Sequence, residues 1–169
     1  RYTQLIEPLS LDEAYLDVSD CTLHQGSATL IAQDICKTIY SELNLTASAG
    51  VAPIKFLAKV ASDINKPNGI YVISPHNVHN FLESMPLNKI PGIGKVTFDK
   101  LKLKGFEIGK DVLASDQTTL INQFGKLGNL LWKRCNGIDE RNVEVARTRK
   151  SVGVERTFSE DIGDLSSLK

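Results

Sequence analysis

The chain contains 169 residues, of which 41% are hydrophobic and 24% are charged, a composition typical of one globular domain or two small ones. Its 20 basic and 20 acidic residues give a formal net charge of zero, so the overall charge favours no class of partner. The sequence has neither a run of about 18 apolar residues nor a signal peptide. These features exclude a membrane protein and predict a soluble one.

The charges are distributed unevenly along the chain. Residues 1–75 carry five basic and eight acidic residues, a net charge of −3. Residues 76–150 carry thirteen and eight, a net charge of +5, and residues 151–169 carry two and four, a net charge of −2. An acidic part followed by a basic part is the asymmetry expected of a metal site beside a surface that binds a polyanion.

The three cysteines, Cys21, Cys36 and Cys135, are odd in number and widely spaced. The sequence has no CxxC pair and no cluster of cysteine and histidine, so we expect neither a zinc site nor a disulfide framework. Reduced thiols in the cytosol are the default for such a chain. The chain also begins at Arg1, directly before a strand-like run, and we expect it to be a piece of a longer protein.

The first predicted element is a hairpin formed by strands over 3–9 and 14–18, with Asp12 and Glu13 in its turn. Neighbouring side chains on a strand point to opposite faces, so two adjacent carboxylates converge only where a strand bends or ends. Pro8 suits such a place. A hard divalent cation such as Mg²⁺ would relieve the repulsion between the two carboxylates. A solvated surface turn is the alternative for the pair taken alone.

Two helices and two strands are predicted in the rest of the first 75 residues. Ser27 is the predicted N-cap of a helix over 28–43. Small residues over 46–51 predict a short strand, and they suit close packing or a close approach by another backbone. A helix starting at Pro53 and a strand over 70–73 complete an α+β fold, with a sheet covered by helices on one face. The predicted apolar stripe of the second helix is Phe56, Leu57, Val60, Ala61 and Ile64.

From about residue 75 the strand patterns disappear, and we predict a small all-helical domain over 76–138. Ser74 is a predicted cap for a helix that starts at Pro75. A further helix follows a glycine-containing turn, with Val96, Leu101 and Leu103 as its apolar residues. Short helices are then predicted over 109–114, 117–124 and 126–136.

The turn at 90–95 (IPGIGK) is typical of a helix-hairpin-helix. Gly92 and Gly94 let the backbone approach a phosphate closely, and their amides face the anion together with the free amides of the next helix. Lys95 adds positive charge, and Ile93 is predicted to anchor the turn in the core. Such a module binds the sugar-phosphate backbone without reading the bases. An ordinary glycine-rich interhelical turn is the alternative.

A second turn, FGKLG at 124–128, looks like a weaker copy, and its role in DNA contact is left open. Lys55 and Lys66 are cations in the acidic part that either meet a triphosphate as point charges or have only local roles. For Lys66, the dipole at the C-terminus of the preceding helix would be sufficient. Arg147, Arg149 and Lys150 belong to a basic segment, 139–150, that is either a solvated tether or a phosphate contact.

Five motifs occur in one order along the chain, which makes a chance match improbable. They are SLDEAYLDV at 10–18, TASAGVAPIKF at 46–56, LAKVASDINKPNG at 57–69, KIPGIGK at 89–95 and KSVGVERT at 150–157. With these motifs the chain resembles the Y-family translesion DNA polymerases, most closely their bacterial members. The resemblance covers essentially the whole sequence.

The resemblance implies a division of the chain into four parts. Residues 1–75 would be the C-terminal part of the palm, and 76–138 the helical thumb. Residues 139–150 would be a basic tether, and 151–169 the first strand of a truncated little-finger domain.

For chemistry, the resemblance implies templated transfer of a nucleotide from a dNTP to a primer 3′-hydroxyl, past damaged bases, with two Mg²⁺ ions. Asp12 would be a magnesium ligand, and Glu13 the carboxylate that helps to bind the metal near the primer 3′-hydroxyl. Lys66 would reach the triphosphate, and Gly92, Gly94 and Lys95 would hold primer-strand phosphates.

The partners implied are primer-template DNA, dNTP and a sliding clamp bound through regions outside this sequence, in the bacterial cytoplasm at the nucleoid. The first catalytic aspartate of the family lies on an N-terminal strand that is absent here, so we expect the fragment alone to be inactive. Two other classes stay open on the residues: a non-catalytic DNA-binding or partner-binding module, and a nucleotide cyclase with a similar palm. A cyclase would not need a helix-hairpin-helix.

Overall fold

The computed structural model describes residues 1–145 and 153–155. The strands in this part are β1 (Ile6–Pro8), β2 (Ala14–Leu16), β3 (Ala49–Val51) and β4 (Ile70–Val72). The helices are α1 (Ala28–Leu43), α2 (Lys55–Ser62), α3 (Val78–Ser84), α4 (Lys95–Lys102), α5 (Gly109–Leu113), α6 (Gln117–Phe124) and α7 (Lys126–Cys135). No helix among these residues is long and apolar enough to cross a membrane.

The α+β class is confirmed, but the four strands pair differently from the single predicted sheet. β1 and β2 form an antiparallel hairpin in which Glu7 faces Tyr15. β3 and β4 form a separate parallel pair, joined by the crossover through α2. The predicted hairpin is therefore present with shorter strands, and within the described residues each sheet has two strands.

Local signals placed α1 and β3 correctly. The Ser27 hydroxyl accepts a hydrogen bond from the amide of Leu30 at 3.3 Å, so it caps α1 as predicted. A Cβ atom on Gly50 in β3 would lie 2.0 Å from the carbonyl oxygen of Ala58. The small residue therefore lets β3 touch the backbone of α2, which confirms the predicted close approach.

The predicted ends of α2 are wrong. Ile54 is extended (φ −127°, ψ 132°) and serves as the N-cap, so Pro53 precedes the cap and does not open the helix. At the other end the amides of Asp63 and Ile64 bond to carbonyls three residues back. This tighter turn directs Ile64 out of the apolar stripe, and it is 43% exposed.

Two predictions in the helical part also need correction. The Ser74 side chain makes no capping hydrogen bond, and a 3₁₀ turn, Pro75–Asn77, precedes α3. On α4 only Leu101 is buried, whereas Val96 is 70% and Leu103 is 86% exposed. Val96 lies in the first turn of this eight-residue helix, and Leu103 is its C-cap, outside the helix.

Buried side chains from both halves belong to one hydrophobic cluster. Phe56 and Leu57 from α2 are fully buried in the same cluster as Leu82 from α3 and Leu131 from α7. Because this cluster is shared, the helical part is packed directly onto the α+β part. The division at residues 75 and 138 stays a prediction.

Candidate functional site

The acidic pair lies in the turn between β1 and β2. The amides of Leu9 and Ser10 both donate to the carbonyl oxygen of Glu13, at 2.8 and 3.4 Å, which closes the turn. The Ser10 hydroxyl donates to Asp12 Oδ1 at 2.7 Å. This hydrogen bond holds the pKa of Asp12 below its ordinary value, so the exposed carboxyl is an anion at neutral pH.

Asp12 and Glu13 line one open cavity of about 660 Å³ together with Lys59 and Lys66. The rest of its wall is mostly apolar and comes from α1, β3 and the hairpin itself, for example Ile31. Four charged side chains on an apolar wall are typical of a site that orients a charged ligand.

Asp63, beside the cavity, pairs with the two lysines that line it. Lys59 Nζ lies 2.5 Å from Glu13 Oε1 and 3.8 Å from Asp63 Oδ2. Lys66 Nζ lies 2.6 Å from Asp63 Oδ1. The hydrogen bond to Asp63 raises the pKa of Lys66, so this lysine is firmly cationic. Its observed partner is a side-chain carboxylate, which differs from the predicted helix-dipole explanation.

Sequence reasoning missed Lys59, although it lies on the same helix as Lys55. The available signal was its spacing of four residues from Asp63, since residues four apart on a helix are neighbours. Pattern alone did not connect it with Glu13, which is 46 positions away.

Lys55 does not line this cavity and is held by structural contacts. Its side chain is 8% exposed, forms an ion pair with Glu7 and donates to the carbonyl oxygen of Asn142 at 2.8 Å. The Lys55 ammonium also lies 5.0 Å from the centroid of the Tyr15 ring. The local role considered for Lys55 is thus the observed one, and it ties the hairpin to the segment after α7.

Asp139 connects both halves of the molecule at a fully buried carboxylate. It accepts hydrogen bonds from the amide of Phe56 at 3.2 Å and from Arg141 Nε at 2.7 Å, and it lies 3.1 Å from Arg134 Nη1. Burial alone would raise its pKa, but the hydrogen bond from Arg141 and the charge of Arg134 outweigh burial and lower it. The segment after α7 is therefore fastened to α2, which carries Lys59.

The turn at 90–95 leaves its backbone open. Gly92 has φ +95°, a left-handed conformation, and a Cβ on Gly92 or Gly94 would meet no atom within 4 Å. Gly94 is the N-cap of α4 and provides no capping side chain, so the first amides of the helix are not capped from within the turn. Ile93 is 5% exposed, which confirms that it anchors the turn, and Lys95 is exposed.

The turn between α6 and α7 shares only part of this geometry. Gly125 is exposed, with φ +60°, and a Cβ there would also meet nothing within 4 Å. Gly128 is buried, and its Cβ would lie 1.9 Å from the carbonyl oxygen of Leu120. One glycine of this turn therefore serves helix packing. Arg147, Arg149 and Lys150 lie outside the described residues.

The donor set at the acidic turn suits a hard divalent cation, because it consists of two carboxylates in one open cavity. The described residues contain no group of three or more His, Cys, Asp or Glu side chains that could hold a metal ion. Asp12 and Glu13 thus fit a metal in chemistry as part of a larger ligand set.

Comparisons with known proteins identify the family to which this chain is similar. Residues 1–63 match the impB/mucB/samB family and residues 75–106 match the helix-hairpin-helix motif of the same family. DNA polymerase IV of Vibrio cholerae (classical Ogawa strain O395) is 65% identical over 162 residues, covering 96% of this chain and 45% of the relative. DNA polymerase IV of Enterobacter sp. strain 638 is 61% identical over 169 residues, covering 100% and 48%.

Among solved structures, a chimeric Y-family DNA polymerase built on Dbh superposes with a TM-score of 0.76 at 36% identity, covering 86% of this chain and 42% of its own. DinB from Sulfolobus solfataricus gives a TM-score of 0.73 at 36% identity, covering 82% and 41%. The chain spans less than half the length of these relatives. By these matches the chain belongs to the impB/mucB/samB family and, with it, to the Y-family DNA polymerases.

Proposed function

We propose that the longer protein to which this chain corresponds is a DNA-directed DNA polymerase that transfers nucleotides from dNTP to a primer 3′-hydroxyl past damaged template bases. The observation that carries the proposal is the cavity that brings Asp12, Glu13 and Lys66 together, in a chain 61–65% identical to proteins named DNA polymerase IV.

Each of these side chains has a role that follows from its chemistry. Asp12 and Glu13 would hold a divalent cation through carboxylate oxygens, and Glu13 would face the primer 3′-hydroxyl. Lys66 would bind the triphosphate as a point charge, because its ammonium lies at the same cavity and stays cationic. We infer that the ion is Mg²⁺ and that two ions serve the complete enzyme, where they would stabilise the charge that develops during transfer.

The turn at 90–95 would hold the primer strand through backbone amides. An exposed Gly92 and Gly94, an N-terminus without a side-chain cap and the charge of Lys95 all favour a phosphate. This contact would be independent of base sequence. Arg147, Arg149 and Lys150 would add phosphate contacts from the tether.

In the complete protein we assign residues 1–75 to the palm, 76–138 to the thumb, 139–150 to the tether and 151–169 to the start of the little finger. A sliding clamp would bind through regions outside this sequence. The protein would act in the bacterial cytoplasm at the nucleoid, where its DNA substrate lies.

A chimera tests the catalytic proposal. Residues 1–169 of this chain would replace the matching segment of the Vibrio cholerae relative, which supplies the remaining half of the protein. We expect primer extension by the chimera and its loss in Asp12→Ala and Glu13→Ala. Asp20→Ala removes a nearby exposed carboxylate as a matched control. Extension retained by Asp12→Ala would refute the assignment.

A second candidate is a DNA-binding module without catalysis. One observation favours it: the described residues supply two carboxylates at the site and no third metal-binding group beside them. The same chimera separates the two proposals, because a module of this kind would bind duplex DNA in a salt-sensitive manner and would not extend primers, with or without Asp12.

A further inference from the structure

Lys59 contacts two carboxylates that belong to different parts of the site. Its ammonium is 2.5 Å from Glu13 in the hairpin turn and 3.8 Å from Asp63 beyond the end of α2. The side chains of Lys59 and Glu13 are 25% and 35% exposed, so water reaches the pair. A lysine ammonium on a flexible four-carbon stem can shift between such partners without movement of the helix.

The position of Lys59 places it in competition with a cation. Glu13 is a carboxylate to which the proposed function assigns a divalent ion, and its Oε1 is already bonded to the ammonium. Ion pairs between partly exposed charges are weak, whereas a doubly charged hard ion binds carboxylate oxygen strongly. The same oxygen therefore has two alternative partners.

Asp63 is positioned to accept the Lys59 ammonium when it leaves Glu13. Asp63 Oδ1 binds Lys66, and its Oδ2 faces Lys59 at 3.8 Å, so the two lysines share one carboxylate. A small rotation of the Lys59 stem would close the longer contact. The Lys59 charge therefore stays paired when the contact with Glu13 is lost.

We propose that Lys59 is the internal counter-ion of Glu13 and that a divalent cation displaces it onto Asp63. Lys59 is thus a positioning residue: it holds Glu13 in place at the cavity and neutralises it until the ion arrives. This inference rests on the proposed function, because that function assigns the ion to Asp12 and Glu13.

Binding of Mn²⁺ to the chimera with the Vibrio cholerae relative, which supplies the rest of the ligand set, tests the competition. The electron paramagnetic resonance signal of the free ion follows the binding. We expect Lys59→Gln to bind Mn²⁺ roughly two- to fivefold more tightly, the range expected for removal of a partly exposed ion pair. Lys59→Arg should behave like the wild type. Lys66→Gln is the comparison variant, because it removes a charge from the same cavity and Lys66 has no ion pair with Glu13. It also frees Asp63 for Lys59, so it should raise the affinity for Mn²⁺ by less than Lys59→Gln.

The outcomes separate the two proposals. An equal gain in Lys59→Gln and Lys66→Gln would indicate general electrostatics and would overturn the role of Lys59. Mn²⁺ binding that is absent or unaffected by Asp12→Asn would instead overturn the proposed metal site.

A second measurement follows the reactivity of the Lys59 amine. In an Asp63→Asn background, which removes the second partner of Lys59, Glu13→Gln should speed acylation of the Lys59 amine relative to the exposed Lys37, as measured by mass spectrometry. Excess MgCl₂ should have the same effect on Asp63→Asn alone and none on Asp63→Asn combined with Glu13→Gln. An unchanged rate in the double variant would show that Lys59 is not the counter-ion of Glu13, and an unchanged rate with MgCl₂ would overturn the displacement.

Discussion

The two glycine-containing turns of the helical part look alike in sequence and differ in what their glycines do. In the turn at 90–95 both glycines are exposed, and added Cβ atoms would meet nothing within 4 Å. In the turn at 124–128 Gly125 is equally open, but Gly128 lies against the backbone of Leu120. The first turn keeps its backbone accessible to a ligand, while the second brings α6 and α7 into contact.

This difference shows how a glycine can be assigned to binding or to packing. A packing glycine has protein atoms where its side chain would be, and substitution costs stability. A binding glycine has open space there, and substitution costs affinity only when the ligand comes close. The following predictions test the contrast, beginning with the largest expected effect.

Gly128→Ala should lower the free energy of unfolding by about 3 kcal/mol, because the methyl group would overlap the carbonyl of Leu120. The better helix propensity of alanine offsets only part of this cost. Urea denaturation followed by circular dichroism measures the change, with Gln123→Ala on the exposed side of α6 as the control. A change below about 0.5 kcal/mol would show that α6 and α7 can accommodate the added methyl group.

Gly92→Ala and Gly125→Ala form a matched pair, since both glycines are exposed and have positive φ values, +95° and +60°. Each substitution should cost about 1–2 kcal/mol of stability through the strained backbone. Only Gly92→Ala should also weaken binding to primer-template DNA, measured by fluorescence anisotropy at a temperature where both variants are folded. Equal losses of affinity would mean that both turns bind DNA.

Gly94→Ala should leave the free energy of unfolding within about 0.5 kcal/mol of the wild type, since its backbone (φ −81°, ψ 173°) suits any residue. Its affinity for duplex DNA should fall roughly tenfold, because the methyl group would keep phosphate from the amides at the start of α4. Anisotropy titrations and urea denaturation on the same preparation separate the two effects. Unchanged affinity would exclude this turn from the interface.

Lys95→Gln should reduce the salt dependence of DNA binding by about one phosphate contact. Lys126→Gln, which removes the corresponding charge from the second turn, should leave the slope unchanged. Affinities measured over a range of salt concentrations give both slopes. A smaller slope for Lys126→Gln would contradict the division of roles between the two turns.

Sequence patterns predicted much of the fold, and the correct predictions depend on local contacts or on side-chain size. Ser27 caps α1 through a contact three residues away, and the small side chain of Gly50 matches the close approach of α2. The failures arise at helix ends and on short helices. Pro53 and Ile64 were assigned to α2 by residue type and period, yet the extended Ile54 and the tight turn after Ser62 exclude them.

At the candidate site, the motifs identified Asp12, Glu13 and Lys66 but not the network between them. Lys55 and Lys59 are one helical turn apart on α2, but their side chains have different surroundings. Lys55 is sealed against Glu7, whereas Lys59 faces the cavity and Glu13. Period and composition do not distinguish the two lysines, because the distinction lies in partners that are 46 or more positions away along the chain.

The sequence by itself determined the α+β class, the acidic turn, the open glycine turn and the family, since all of these depend on local patterns or on motifs in a fixed order. Only the tertiary structure decided that Lys59 and not Lys55 faces the cavity, which glycine serves packing and that Asp139 joins the two halves. These roles depend on burial and on contacts between distant residues, and a local pattern carries no information about either. Short-range interactions can therefore be predicted from the sequence, whereas the roles that depend on long-range contacts require the structure.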